Sequence, residues 1–377
     1  MKESVMRIGT CSLLAVVGAM LAGPAAAAPA LADPAAGTLA LVVSDPVNLS
    51  RADGLAFDTF GNLFAARERT DSAAGVSWVN RETGTAISLV SGIWGADQID
   101  IHPDGRLYVT SELPVPTGAS YDACRLVAPA SFCDGTDSRL FRATLSYDAL
   151  NRPASATVAS VTTGIGLNGP EGLVVLRSDG PYGNAGDLLV AEDATPGRVL
   201  KLDVAAAPAA VTVLTGTGAN LHRPEGAALG DFGSAAPAAL YVAETTDDNV
   251  LRIGADGAAT VFGNPSAVGL NQPDNLEFGP DGFLYVSEDV AAGGGRIVRI
   301  AADGTHEVFA MGFSSPQGLA FDPANGDLYI AEQDASKIWR VHFASPVPEP
   351  GIAFEMIVGA LAMLLLHRRR ASRRVQG

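Results

Sequence analysis

The sequence repeats one pattern six times. An apolar run of strand length follows an acidic or amide residue, a turn comes next, and a second apolar run ends in Glu. The clearest copies are Pro273-Asp274-Asn275-Leu276 leading to Leu284-Tyr285-Val286-Ser287-Glu288, and Pro316-Gln317-Gly318-Leu319 leading to Leu328-Tyr329-Ile330-Ala331-Glu332. Earlier copies occupy 53–68, 97–112, 171–192 and 225–244. The terminal residues Glu68, Glu112, Glu192, Glu244, Glu288 and Glu332 are separated by 44, 80, 52, 44 and 44 positions. A period of 40 to 50 residues made of strands alone means stacked blades, because one such unit cannot bury its own apolar faces. The pattern predicts an all-β chain folded as a six-bladed β-propeller. The interval of 80 is one blade carrying an insertion at 113–137, since that stretch holds no further copy of the motif.

Turn chemistry supports the strand reading. Pro103-Asp104-Gly105, Pro280-Asp281-Gly282 and Asn325-Gly326-Asp327 sit between the first and second strands. Glycine there supplies a positive φ and the aspartate bonds to nearby backbone. A third strand follows each Glu and a fourth follows in five blades. Blade six lacks a fourth strand, whereas a strand-like run at about 38–43 precedes blade one. That N-terminal strand is predicted to complete blade six, which closes the ring and removes a free edge.

The repeats resemble those of the NHL-repeat and senescence-marker-protein/gluconolactonase superfamily of six-bladed propellers. Pro170-Glu171-Gly172-Leu173 and Leu240-Tyr241-Val242-Ala243-Glu244 carry the likeness, which extends over nearly the whole of 33–345. A repeat motif speaks to fold more than to activity.

Strands one and two of a blade are antiparallel, so the start of one lies beside the end of the other. This places Asp53, Asp97, Glu171, Glu225, Asp274 and Gln317 at one mouth of the channel. It places Glu68, Glu112, Glu192, Glu244, Glu288 and Glu332 in an acidic ring on the same face. Crowded carboxylates repel one another, and a hard divalent cation such as Ca²⁺ relieves this with oxygen ligands. Hydrolytic members of the resembled superfamily hold one metal at this mouth. By position the resemblance implies Glu171, Glu225, Asp274 and Asn275 as its ligands here. A residue present in every blade also suits a purely structural role, accepting backbone N–H bonds or pairing with an arginine. His222, three residues before Glu225, is the candidate general base.

Two functions compete on these grounds. One is a non-catalytic binding or scaffold protein that recognises a matrix polysaccharide or a small molecule. The other is a metal-dependent lactonase- or esterase-like hydrolase. Serine-nucleophile, phosphate-loop and zinc-protease motifs do not occur in the sequence. The formal net charge of −16 argues against nucleic acid as a partner.

The ends differ from the repeats. Residues 1–32 have a charged start, an apolar run and the site Ala30-Leu31-Ala32, the layout of a secretory signal peptide. Residues 346–377 begin Pro346-Val347-Pro348-Glu349-Pro350, continue through an apolar helix at 352–366 and end in clustered arginines. This tail resembles the PEP-CTERM sorting signal, which implies recognition by an exosortase. It also implies membrane contact before processing and delivery to the cell surface or extracellular matrix. Cys124 and Cys133, inside the insertion, are expected to pair as a disulfide in an oxidising compartment.

Overall fold

The structure, a computed structural model, describes residues 28–112, 139–161, 167–215, 221–233, 238–263 and 268–344. The Cys124–Cys133 pairing, the body of the insertion, nearly all of the leader and the C-terminal tail lie outside these residues. Among the described residues no helix is long and apolar enough to cross a membrane.

Six antiparallel sheets form the blades of a β-propeller. In blade one the strands are Ala52–Phe57, Leu63–Arg67, Gly75–Asn80 and Thr85–Ser91, in that order from the axis outwards. The same meander recurs in blades two to five, whose first strands are Ala96–Ile101, Pro170–Val175, Pro224–Gly230 and Pro273–Phe278. Blade six takes Pro316–Phe321, Leu328–Glu332 and Lys337–Phe343 from the C-terminal side of the chain. Its fourth strand is Gly37–Ser44, with Gly37 opposite Phe343 and Ser44 opposite Lys337. The ring closes as the sequence predicts, with a strand slightly longer than the run at 38–43.

Alternation along each strand sends apolar side chains to both sheet faces, so the core lies between blades. Each of the six apolar clusters joins neighbouring blades. Phe64 and Val76 meet Leu107 and Phe141 between blades one and two, and Leu63 and Val79 meet Tyr329 and Ile338 across the closure. The Leu-Tyr-Val motif, Leu-Tyr-Ile in blade six, explains three of these joints. Tyr241, Tyr285 and Tyr329 each meet, edge to face, a phenylalanine at the end of the next blade's first strand. The partners are Phe278, Phe321 and Phe57, at 5.5, 5.2 and 5.3 Å. Such pairs contribute about 0.5–1.5 kcal/mol beyond area burial.

Blade five carries a short fifth strand, Ala30–Leu31, paired with Ala310 and Met311. A cut after Ala32 removes this strand but leaves the closing strand whole. The aspartate that would then begin the chain, Asp33, caps the Pro34–Ala36 turn by accepting the Ala35 N–H at 2.8 Å.

Candidate functional site: the acidic mouth

One backbone device is repeated in every blade. The residue before each first strand has a positive φ: Arg51, Gly95, Gly169, Arg223, Gln272 and Ser315. Its carbonyl accepts the N–H of Glu68, Glu112, Asp193, Thr245, Asp289 and Gln333 respectively. These six residues occupy equivalent positions and form the rim of the mouth. Four launching residues are not glycine and adopt the left-handed conformation at some cost. Two of them are the arginines that face the acids. Arg51 pairs with Glu68. Arg223 binds Asp193 through two bonds of 2.7 and 2.8 Å and lies 3.1 Å from Glu225.

This register changes the expected acidic ring. Blade pairing sets Arg67 and Ser111 opposite Ala52 and Ala96, and sets Glu192, Glu244, Glu288 and Glu332 opposite prolines 170, 224, 273 and 316. Glu68 and Glu112 therefore stand one residue further along than the other four and belong to the rim. The remaining four glutamates turn away into the blade, where each accepts a backbone N–H. The donors are Asn168, His222, Asn271 and Ser314, at 2.8–2.9 Å. Arg198, Arg296 and Trp339 add bonds to Glu192, Glu288 and Glu332. These four glutamates pin the entry loop to its blade. In blade one the buried Arg67 fills the same place, bonding Ser88 Oγ at 2.7 Å and the Val90 carbonyl at 2.8 Å. Glu288 is fully buried. Glu288→Ala leaves the Asn271 N–H without its acceptor and Arg296 with the Gly269 carbonyl alone, and is expected to cost about 1–3 kcal/mol. Urea unfolding measures this.

Below the rim, the second residue of each motif forms a deeper ring: Asp53, Asp97, Glu171, Glu225, Asp274 and Gln317. All except Asp274 are buried. Gln333 donates to Asp53 at 3.2 Å and to Glu68 at 2.7 Å, and also contacts Gln317. Thr245 donates to Glu225. Burial, reinforced by Asp97, Glu225 and Asp193, pushes the Glu171 carboxyl well above its ordinary range. Asp53, Asp97 and Asp274 are raised for the same two reasons, burial first and neighbouring acids second. Glu112 and Glu225 are pushed up to about 7, mainly by burial.

Three carboxylates converge. Ligand oxygens of Glu112, Glu171 and Asp193 all lie within 4.8 Å of one another. That separation suits a common cation with oxygen ligands at 2.3–2.6 Å, and three protein ligands leave coordination positions for other oxygens. Of the ligand set implied by resemblance, Glu171 lies in this cluster. Glu225 and Asp274 line the adjoining wall. Asn275 lies in the floor of the mouth with its side chain engaged: its amide donates to Gln98 Oε1 at 3.0 Å, and its own oxygen accepts the Leu276 N–H at 2.6 Å. Asp193 stands outside the ligand set that the resemblance implies, because it follows the repeated Glu. Counting from the apolar start of the second strand, Leu63 and Leu107 against Leu188, exposes the one-residue offset. His222 Nδ1 lies 2.9 Å from Asp247, and the side chain is 30% exposed at the edge of the site.

Glycine follows the deep-ring residue in four blades. A Cβ on Gly172, Gly226 or Gly318 would stand 2.0–2.2 Å from the next blade's carbonyl at Glu225, Asp274 or Asp53. The first strands thus approach backbone to backbone, which brings the acids of neighbouring blades together. Blades two and five have Gln98 and Asn275 instead. Their bond spans opposite sides of the ring and floors the mouth.

Fold and site together define a six-bladed propeller with a carboxylate-lined axial mouth. Solved structures with this fold include a putative gluconolactonase (TM-score 0.54, 14% identity, covering 82% of this chain and 93% of that one). A gluconolactonase from Xanthomonas campestris is similar at TM-score 0.53 and 16% identity, over 84% of this chain and 94% of its own. The PQQ domain of a pyranose dehydrogenase from Coprinopsis cinerea is similar at TM-score 0.55 and 12% identity, over 83% and 96%. No protein-family model and no curated protein matches the sequence. At these identities the likeness speaks to the fold.

Proposed function

We propose that this is an exported propeller that binds a divalent cation, Ca²⁺ by chemistry, at the acidic mouth and uses it to hold an oxygen-rich ligand. The convergence of Glu112, Glu171 and Asp193 carries this reading. The raised carboxyls around them reinforce it, because a cation relieves the repulsion that otherwise keeps them protonated. The leader and the PEP-CTERM-like tail support export and sorting by an exosortase to the surface or matrix, where polysaccharide or a small polyol supplies such oxygens.

Hydrolysis of a lactone or ester is the second reading. It is favoured by Glu225, held beside the cluster with a carboxyl pushed up to about 7. A bound cation would supply Lewis acidity to a carbonyl. Glu225, oriented by Thr245 and Arg223, would take the proton of an attacking water. A group that titrates near neutrality suits that task better than an ordinary carboxylate. His222, engaged with Asp247, would lie to one side.

Calorimetric titration of Ca²⁺ into the metal-stripped full chain tests the site. Saturable binding with release of protons is expected at pH 7.5, and Glu171→Gln should weaken it at least tenfold. Unchanged affinity in that variant would place the ion elsewhere. A panel of lactones and esters, assayed with and without Ca²⁺, separates the two readings: Ca²⁺-dependent turnover lost in Glu225→Gln establishes hydrolysis, and no turnover leaves the binding protein.

A further inference from the structure

The Gln98–Asn275 bond has a second side. Beneath it the channel widens into a cavity of about 470 Å³ that is open towards the opposite face. None of the deep-ring acids of the mouth lines it. Strand alternation explains its shape. Two residues beyond the Gly/Gln/Asn level, the axis-facing positions are Ala56, Asp100, Val174, Ala228, Glu277 and Ala320, matched by their cross-strand pairing. Three alanines leave space where larger side chains would fill the axis. Leu55, Leu173, Leu276 and Leu319 add apolar wall.

Two acids face each other across this space, from opposite blades. Asp100 is satisfied: it accepts the Val175 N–H at 2.8 Å and pairs with Arg177. Glu277 has no hydrogen-bond or ion-pair partner among the described residues. Burial, with Asp100 adding to it, pushes its carboxyl up to about 8. The wall thus holds two carboxyls and one guanidinium, and the guanidinium is taken by Asp100.

We propose that this lower compartment is a second ligand site, separate from the acidic mouth, for a compact apolar molecule bearing a single amine that pairs with Glu277. The volume lies within the range of small-molecule pockets and equals about fifteen waters. The apolar wall takes the hydrocarbon body by removing it from water. The ammonium gives Glu277 the donor it lacks, through a charge-assisted hydrogen bond. An alcohol of the same shape can fill the space but forms no charge-assisted bond with Glu277, and a carboxylate is repelled by Asp100.

The test uses 2-phenylethylamine, 2-phenylethanol and 3-phenylpropionate as probes on the full chain, read by calorimetry and ligand-observed NMR. The amine should bind at least tenfold more tightly than the alcohol, and the acid should not bind. Glu277→Gln should remove the amine's advantage, and Ala228→Phe, which fills the cavity, should abolish binding of both. Because amines are also attracted to the acidic mouth, the Glu277 variant decides the question. Amine binding that survives Glu277→Gln overturns the proposal, as does equal binding of amine and alcohol by the native chain. If Ala228→Phe fails to fold, Ala56→Leu repeats the filling test from another blade.

Discussion

A chain that begins at Val47, and so lacks Gly37–Ser44, is expected to melt far below the intact protein and to self-associate. The loss exposes the whole edge of Lys337–Phe343, because Gly37–Ser44 pairs with it along its entire length. Ile338 and Val341 are fully buried and Val43 nearly so, and truncation returns part of this surface to water at about 25 cal/mol per Å². An open edge is a template for pairing with another chain. Differential scanning calorimetry and light scattering read both effects. A synthetic peptide of residues 37–44 added in trans should recover part of the melting temperature. If the truncated chain melts at the native temperature as a monomer, closure by this strand does not hold the ring.

The second large effect is on pH. Glu112 and Glu225 titrate near 7 in the folded protein and near 4.5 when exposed. The folded state therefore keeps protons that the unfolded chain has released between those values. Their stabilising contribution is complete below about pH 4.5 and is lost as the pH rises through about 7. The deeper Asp53, Asp97, Glu171 and Asp274 act in the same direction. Asp104, lowered to about 2 by its arginine and backbone donors against some burial, acts oppositely, but only under strongly acidic conditions. The metal-free protein should be most stable near pH 4 to 5 and lose a few kcal/mol by pH 8. Urea midpoints measured across this range give the slope. Glu112→Gln with Glu225→Gln should flatten it, because neutral side chains carry no proton to lose. A metal-free protein that gains stability from pH 5 to 8 would contradict this electrostatic account of the mouth.

The fold was legible in the sequence because a repeat writes the same physics six times. Each blade states its strands, turns and closing glutamate, and the missing fourth strand of blade six points to its supply from the N-terminus. The site was less legible for two reasons. A strand sends successive side chains to opposite sides, so one residue of offset exchanges mouth for interior. Arg67-Glu68 and Ser111-Glu112 differ from Glu192-Asp193 by that one residue, and matching them on Glu merges the glutamates of the blade interior with those of the rim. The other reason is that Gln98, Asn275 and Glu277 stand out only against the Gly and Ala of the other blades. Their meeting across the axis depends on blades two and five being opposite, a property of the closed ring.

The acidic mouth is proposed as a cation site. Its most direct test is the melting temperature of the metal-stripped chain at pH 5 and pH 8, with and without millimolar Ca²⁺. Without the ion the protein should melt lower at pH 8 than at pH 5. Calcium should raise the pH 8 value saturably, since a ligand that binds only the folded state stabilises it, and should do little at pH 5, where protons hold the ligands. No shift at pH 8 with Ca²⁺, Mg²⁺ or Zn²⁺ would contradict the claim and leave the converging carboxyls as acids held together by the ring.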